Sequence, residues 1–102
     1  MVVLYRHIST LSSAEPEEIQ EMMLLAQRCE TCLAGIYKPE GFNIGINIGK
    51  CAGAGVESHL HLHLIPRWTG DSNFVATSGQ TRIIPELLET TYKKILKSLI
   101  ET

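Results

Sequence analysis

His59-Leu60-His61-Leu62-His63-Leu64-Ile65-Pro66 alternates histidine with aliphatic residues. In a β-strand successive side chains point to opposite faces, so the leucines form one face and the imidazoles the other. His59, His61 and His63 then stand in a row at about 6.6 Å intervals, above a face fit to be buried. The strand is expected to end at Pro66. Only one other histidine, His7, occurs in the chain.

A second alternating segment lies just upstream. Phe42, Ile44, Ile46 and Ile48 interleave with Asn43, Gly45, Asn47 and Gly49, which predicts a neighbouring strand with one apolar face. Paired, the two strands give a core face and a polar floor beneath the imidazoles, with gaps at the glycines. Between them runs Gly49-Lys50-Cys51-Ala52-Gly53-Ala54-Gly55. Further upstream, apolar residues at Ile19, Met22, Met23, Ala26, Cys29, Leu33 and Ile36 recur with helical period. Pro16 suits the first helical position, Glu15, Glu17 and Glu18 suit the positive end of the dipole, and Lys38-Pro39-Glu40-Gly41 stops the helix near Tyr37. Val2-Val3-Leu4-Tyr5 reads as a first short strand, Phe74 to Ala76 as a weak one, and the segment from Pro85 as a second helix. The Met22/Met23 pair is expected to fill the core. The fold class is α+β: an antiparallel sheet with two helices on one face.

The 102-residue chain has 9 Lys+Arg against 11 Asp+Glu, and 44% of its residues are hydrophobic. That length fits a single domain over residues 1–102 with a packed core. A net charge of −2 without any Lys/Arg cluster argues against sequence-independent nucleic-acid binding. No apolar run approaches the roughly 20 residues of a membrane span, and no basic-then-apolar leader opens the sequence. A soluble cytoplasmic protein with no nucleic-acid or membrane partner is expected. Cys29, Cys32 and Cys51 are odd in number, which excludes a complete intramolecular disulfide framework. The Cys29-x-x-Cys32 spacing falls inside the helical pattern, so these are expected to be structural thiols.

Three readings of the imidazole row compete. It is the solvent face of an amphipathic strand, or a metal site, or a nucleophile with its helpers. A metal would need a further ligand folded over the row, because the first and third α-carbons lie about 13 Å apart; Glu57 and Asp71 are the candidates. As a nucleophile, neutral imidazole can attack phosphorus while its neighbours hold its tautomer or protonate the leaving group. The glycine-rich segment joined to the row favours the last reading, since unencumbered backbone N–H groups make an anion nest. It is not a Walker A loop, because Lys50 precedes the glycines and no G-K-[ST] follows.

These residues resemble the histidine triad family of nucleotide hydrolases and transferases, whose motif His-φ-His-φ-His-φ-φ matches His59 to Ile65. Asn47-Ile48-Gly49, Ala52-Gly53-Ala54-Gly55-Val56, Pro66-Arg67-Trp68 and Gly70-Asp71-x-Asn73-Phe74 resemble the branch containing bacterial diadenosine tetraphosphate hydrolases and phosphorylases. Val2 to His7 resembles the family's strand before its long helix, with Leu4 where proline is usual. Gly55 and Val56 stand where many relatives carry Gln and Ser/Thr, which fits the diadenosine-polyphosphate branch better than the phosphoramidases.

The resemblance implies a covalent nucleotidyl-histidine intermediate on a nucleotide substrate. His61 would be the nucleophile, His63 would contact the phosphate or departing group, and His59 would orient the nucleophile, partly through its carbonyl. Asn47, Gly53, Ala54 and Gly55 would hold phosphate oxygens, and no metal cofactor enters the triad chemistry. It also implies a domain without the family's N-terminal strands and its upstream fourth histidine; His7 matches a later position, where a local hydrogen bond is expected. An exposed sheet edge and the pairing of relatives through helix and sheet both point to a homodimer or larger homo-oligomer. A phosphate-binding module with a vestigial triad, and a metal-binding protein using the row, are the alternative functions.

Overall fold

The computed structural model describes residues 1–53, 59–71 and 86–101. Three strands, β1 (Val2–Val3), β2 (Gly41–Ile46) and β3 (His61–Arg67), make an antiparallel sheet in the order β1-β3-β2. Helix α1 (Pro16–Tyr37) runs between β1 and β2, and α2 (Leu88–Glu101) closes the described chain. The α+β class and the expected order of elements are both present.

Helix α1 has the expected bounds, and its ends show why. Pro16 occupies the first turn, and Glu15 with Glu18 forms a reciprocal capping box, the Glu18 carboxylate accepting from the Glu15 N–H at 2.8 Å. At the other end Lys38 turns left-handed at φ 48° and its N–H bonds the Ala34 carbonyl. Met22, Ala26 and Cys32 are buried, and Met22 and Ala26 join Val2, Leu4, Ile8, Leu60 and Leu62 in the core. Met23 is 52% exposed, against expectation. Consecutive helical residues lie about 100° apart, so only one of the pair can face the sheet. Cys29 is half-buried, Cys32 buried and Cys51 exposed, and all are free thiols.

Pro66 does not end β3, which continues to Arg67 opposite Gly41. β1 pairs only with His61 and Leu62, so among the described residues Pro66 has a ladder partner on the β2 side alone. Proline is tolerated where its missing N–H faces an unpaired side. β3 also begins later than the alternation suggests: His59 and Leu60 precede it, the Leu60 N–H bonding the Ile8 carbonyl at 2.6 Å. β1 is shorter than expected, and β2 stops at Ile46 rather than running to Ile48. Ile44 is 47% and Ile48 39% exposed, because α1 lies beneath β1 and β3 and leaves β2 overhanging. Helix α2 packs on α1, with Arg28 donating to the Leu99 carbonyl at 3.0 Å and the Cys32 thiol 3.7 Å from the Ile95 carbonyl. Glu86 ties the two helices together by accepting from the Tyr37 hydroxyl at 3.2 Å. The expected strand at Phe74 to Ala76, and Pro85, lie outside the described residues.

Candidate active site

The register of β2 against β3 builds the site. Ile44 faces Leu64 and Ile46 faces Leu62, so these side chains share the helix side of the sheet. Gly45 pairs with His63 and Asn43 with Ile65, which puts the short polar residues of β2 beside the imidazole row, as the alternation predicts. His59, His61 and His63 are all half-buried.

Each imidazole has its own setting. His61 Nδ1 lies 3.3 Å from the His59 carbonyl, at the long end of hydrogen-bonding range. His59 Nε2 donates to the Leu4 carbonyl at 2.7 Å, and its ring stacks on His7 with centroids 4.3 Å apart. His63 lies over Gly45; burial lowers its pKa below 6.5, and the His61 ring adds to that lowering. A neutral His63 is favoured because removing water penalises the charged ring.

The start of the glycine-rich segment forms a turn after β2. Gly49 and Gly53 have φ of 86° and 92°, and a short 3-10 turn, Lys50–Ala52, joins them. Asn47 Nδ2 points to the Gly53 carbonyl at 3.5 Å, tying the end of β2 to the turn. The expected phosphate-binding residues Ala54 and Gly55, and Glu57 and Ser58 beside the triad, lie outside the described residues.

At the far end of β3, Arg67 grips both carboxylate oxygens of Asp71 at 2.7 and 2.6 Å. The Trp68 N–H bonds the same carboxylate at 3.0 Å, and Arg67 Nη1 donates to Asn43 Oδ1 at 2.5 Å. The Arg67 guanidinium, with the Trp68 N–H, holds the Asp71 carboxyl down at about 2. Asp71, one of the two candidate metal ligands, is thus engaged as a structural clamp. Among the described residues no group of three or more His, Cys, Asp or Glu could hold a metal ion.

The HIT domain profile matches residues 1–70, across the first strand, the long helix and the whole histidine row. The chain belongs to the HIT domain family. A Mycobacterium tuberculosis protein named AP-4-A phosphorylase is 41% identical over 91 residues, covering 89% of this HIT chain and 47% of the relative. The chain therefore spans about half the length of that relative. A Schizosaccharomyces pombe protein named asymmetrical bis(5'-nucleosyl)-tetraphosphatase is 28% identical over 71 residues, 70% of this chain and 38% of its own length.

Among solved structures, a zinc-bound histidine triad family protein from Mycobacterium smegmatis superposes with a TM-score of 0.71 at 29% identity. It covers 94% of this chain and 64% of that one. A hypothetical histidine triad nucleotide-binding protein from Sulfolobus tokodaii gives 0.73 at 26% identity, covering 94% and 65%. The Mycobacterium tuberculosis and Schizosaccharomyces pombe relatives carry phosphorylase and tetraphosphatase names.

Two features of the HIT site escaped the sequence. His7 was expected to make only a local hydrogen bond, yet it stacks on His59, a contact between residues far apart in the chain that no local pattern signals. Arg67 and Asp71 form an i, i+4 ion pair across a turn; that spacing is visible in the sequence but gains meaning only once the turn folds.

Proposed function

We propose that this HIT domain, residues 1–102, cleaves a phosphoanhydride or related bond of a dinucleoside polyphosphate or adenylylated substrate through a nucleotidyl-histidine intermediate. The observation that carries the reading is the approach of His61 Nδ1 to the His59 carbonyl at 3.3 Å. A carbonyl only accepts, so Nδ1 keeps the proton and the neutral ring keeps its lone pair on Nε2. That lone pair attacks the α-phosphorus; the P–N bond forms as the P–O bond to the departing nucleotide breaks. Water or phosphate then attacks phosphorus, the P–N bond breaks, and His61 returns to its starting state.

The remaining roles belong to the same proposal. His59 orients the nucleophile through its carbonyl, and His63 contacts the phosphate or the departing group. Asn47 and the backbone of Gly53, Ala54 and Gly55 hold phosphate oxygens, stabilising charge as it develops. No metal takes part in the triad chemistry. The relatives named for diadenosine polyphosphate reactions support this substrate class.

Incubation with diadenosine tetraphosphate, in water and in phosphate buffer, with and without chelator, tests the proposal. Chelator-insensitive nucleotide products support it. Binding without cleavage would mark a phosphate-binding module, and cleavage abolished by chelator a metal-dependent protein. Among the described residues no helix is long and apolar enough to cross a membrane, and we place the protein in the cytoplasm as a homodimer or larger homo-oligomer. The 2-residue edge strand β1 and exposed Met23 and Leu24 on α1 support self-association. Sedimentation at low micromolar concentration is expected to show an oligomer; a folded monomer would contradict it.

A further inference from the structure

Gly45 occupies the middle of β2, where glycine weakens a strand and needs a reason. The usual reasons are absent. The ladder runs unbroken through Ile44↔Leu64, Gly45↔His63 and Ile46↔Leu62, so no bulge sits there. Its φ lies outside the left-handed region, unlike that of Gly49, Gly53 and Gly70. The space above it is occupied by the imidazole of His63. A methyl group at position 45 would lie 3.1 Å from His63 Nε2, 3.6 Å from Cε1 and 3.9 Å from Cδ2. The ring therefore lies across β2 with its Nε2 edge over the Gly45 backbone, closer than a carbon could be without displacing it.

This seat decides where the third histidine acts. Asn47 follows Gly45 by two residues, just past the end of β2, and its amide reaches the Gly53 carbonyl. His63 Nε2 thus lies over β2, the strand that leads into Asn47 and the glycine turn. Lying on the strand also shields the ring from water, in keeping with its lowered pKa.

We infer that Gly45 is a positioning residue, whose missing side chain seats His63 over β2, the strand that leads into the glycine turn. The inference rests on the proposed phosphoryl chemistry for its effect on turnover, but the seat itself can be measured without turnover. Gly41 supplies a control: it lies in the same strand, and a methyl group there would meet nothing within 4 Å.

The test compares Gly45→Ala with Gly41→Ala and wild type. In wild type, NMR should show nuclear Overhauser contacts between the Gly45 α-protons and the His63 ring protons. In Gly45→Ala the His63 titration midpoint should rise as the ring is lifted into water. Turnover of diadenosine tetraphosphate should fall about tenfold in kcat with KM within about twofold, since displacements well under 1 Å suffice to disturb a reacting group. Gly41→Ala should match wild type in each respect.

Absence of the wild-type contacts would overturn the inference even if Gly45→Ala failed to fold. Identical behaviour of the two variants would overturn it as well. If wild type turned over no substrate, the proposed function would fall, and the ring contacts and titration would still judge the seat.

Discussion

The imidazole of His7 lies against that of His59, ring centroids 4.3 Å apart and planes within 20°. The contact joins the segment after β1 to the residue whose carbonyl meets His61. Two further bonds reinforce it: His59 Nε2 to the Leu4 carbonyl at 2.7 Å, and the Leu60 N–H to the Ile8 carbonyl at 2.6 Å. Arg6, inside this segment, is anchored in turn to the Glu18 carboxylate at 2.6 Å and the Ser13 carbonyl at 2.9 Å. The first strand and the start of α1 thus hold the backbone on which His61 rests.

His7→Ala removes the stack but leaves the backbone bonds. Aromatic pairs contribute about 0.5–1.5 kcal/mol beyond area burial, and the exposure of His7 places the loss at the lower end. Thermal melting should drop by a few degrees, and kcat should fall severalfold with KM little changed. An unaltered kcat would show that the stack does not help to hold His61.

The Arg67–Asp71 clamp has a defined pH window. The Asp71 pKa is lowered from 3.8 to about 2, so the carboxylate contributes stability that is fully present above about pH 4. That contribution is lost as pH falls through about 2. In acid titrations followed by circular dichroism, wild type should exceed Asp71→Asn in stability above pH 4 and lose its advantage progressively between pH 4 and about 2. A constant difference across that range would place the clamp's contribution elsewhere.

Gly53 tests the phosphate turn. Its φ of 92° is one that side chains rarely adopt, and a methyl group there would lie 3.4 Å from Asn47 Nδ2. Gly53→Val should strain the turn by about 1–3 kcal/mol and weaken nucleotide affinity at least about tenfold by calorimetry. Unchanged affinity would remove this turn from the binding site. In a sulfate-soaked crystal, the anion is expected between Gly53 and His61.

Much of this site was legible because alternation is a local code. The two-residue period of His59 to Ile65 and of Phe42 to Ile46 put Leu62, Leu64 and Ile46 on one side and His61, His63 and Gly45 on the other. Pro16, the acidic residues Glu15, Glu17 and Glu18, and the Lys38-Pro39-Glu40-Gly41 stop marked the long helix just as locally. What escaped depends on tertiary placement. Nothing in the sequence says that α1 stops short of β2 and leaves Ile44 exposed, or which of Met22 and Met23 faces the core. The pairing of His7 with His59 and the need for glycine at position 45 likewise appear only when β1 and β2 are laid beside β3.

The central claim is that His61 carries the nucleotide during turnover. It is tested most directly by rapid quenching with an α-phosphate-labelled dinucleoside polyphosphate, followed by peptide mapping under conditions that preserve phosphoramidates. The label should appear on His61 alone, and His61→Ala should lose both label and turnover while binding nucleotide within a fewfold of wild type. Label on His59 or His63, or a His61→Ala variant that retains most of the wild-type kcat, would contradict the assignment.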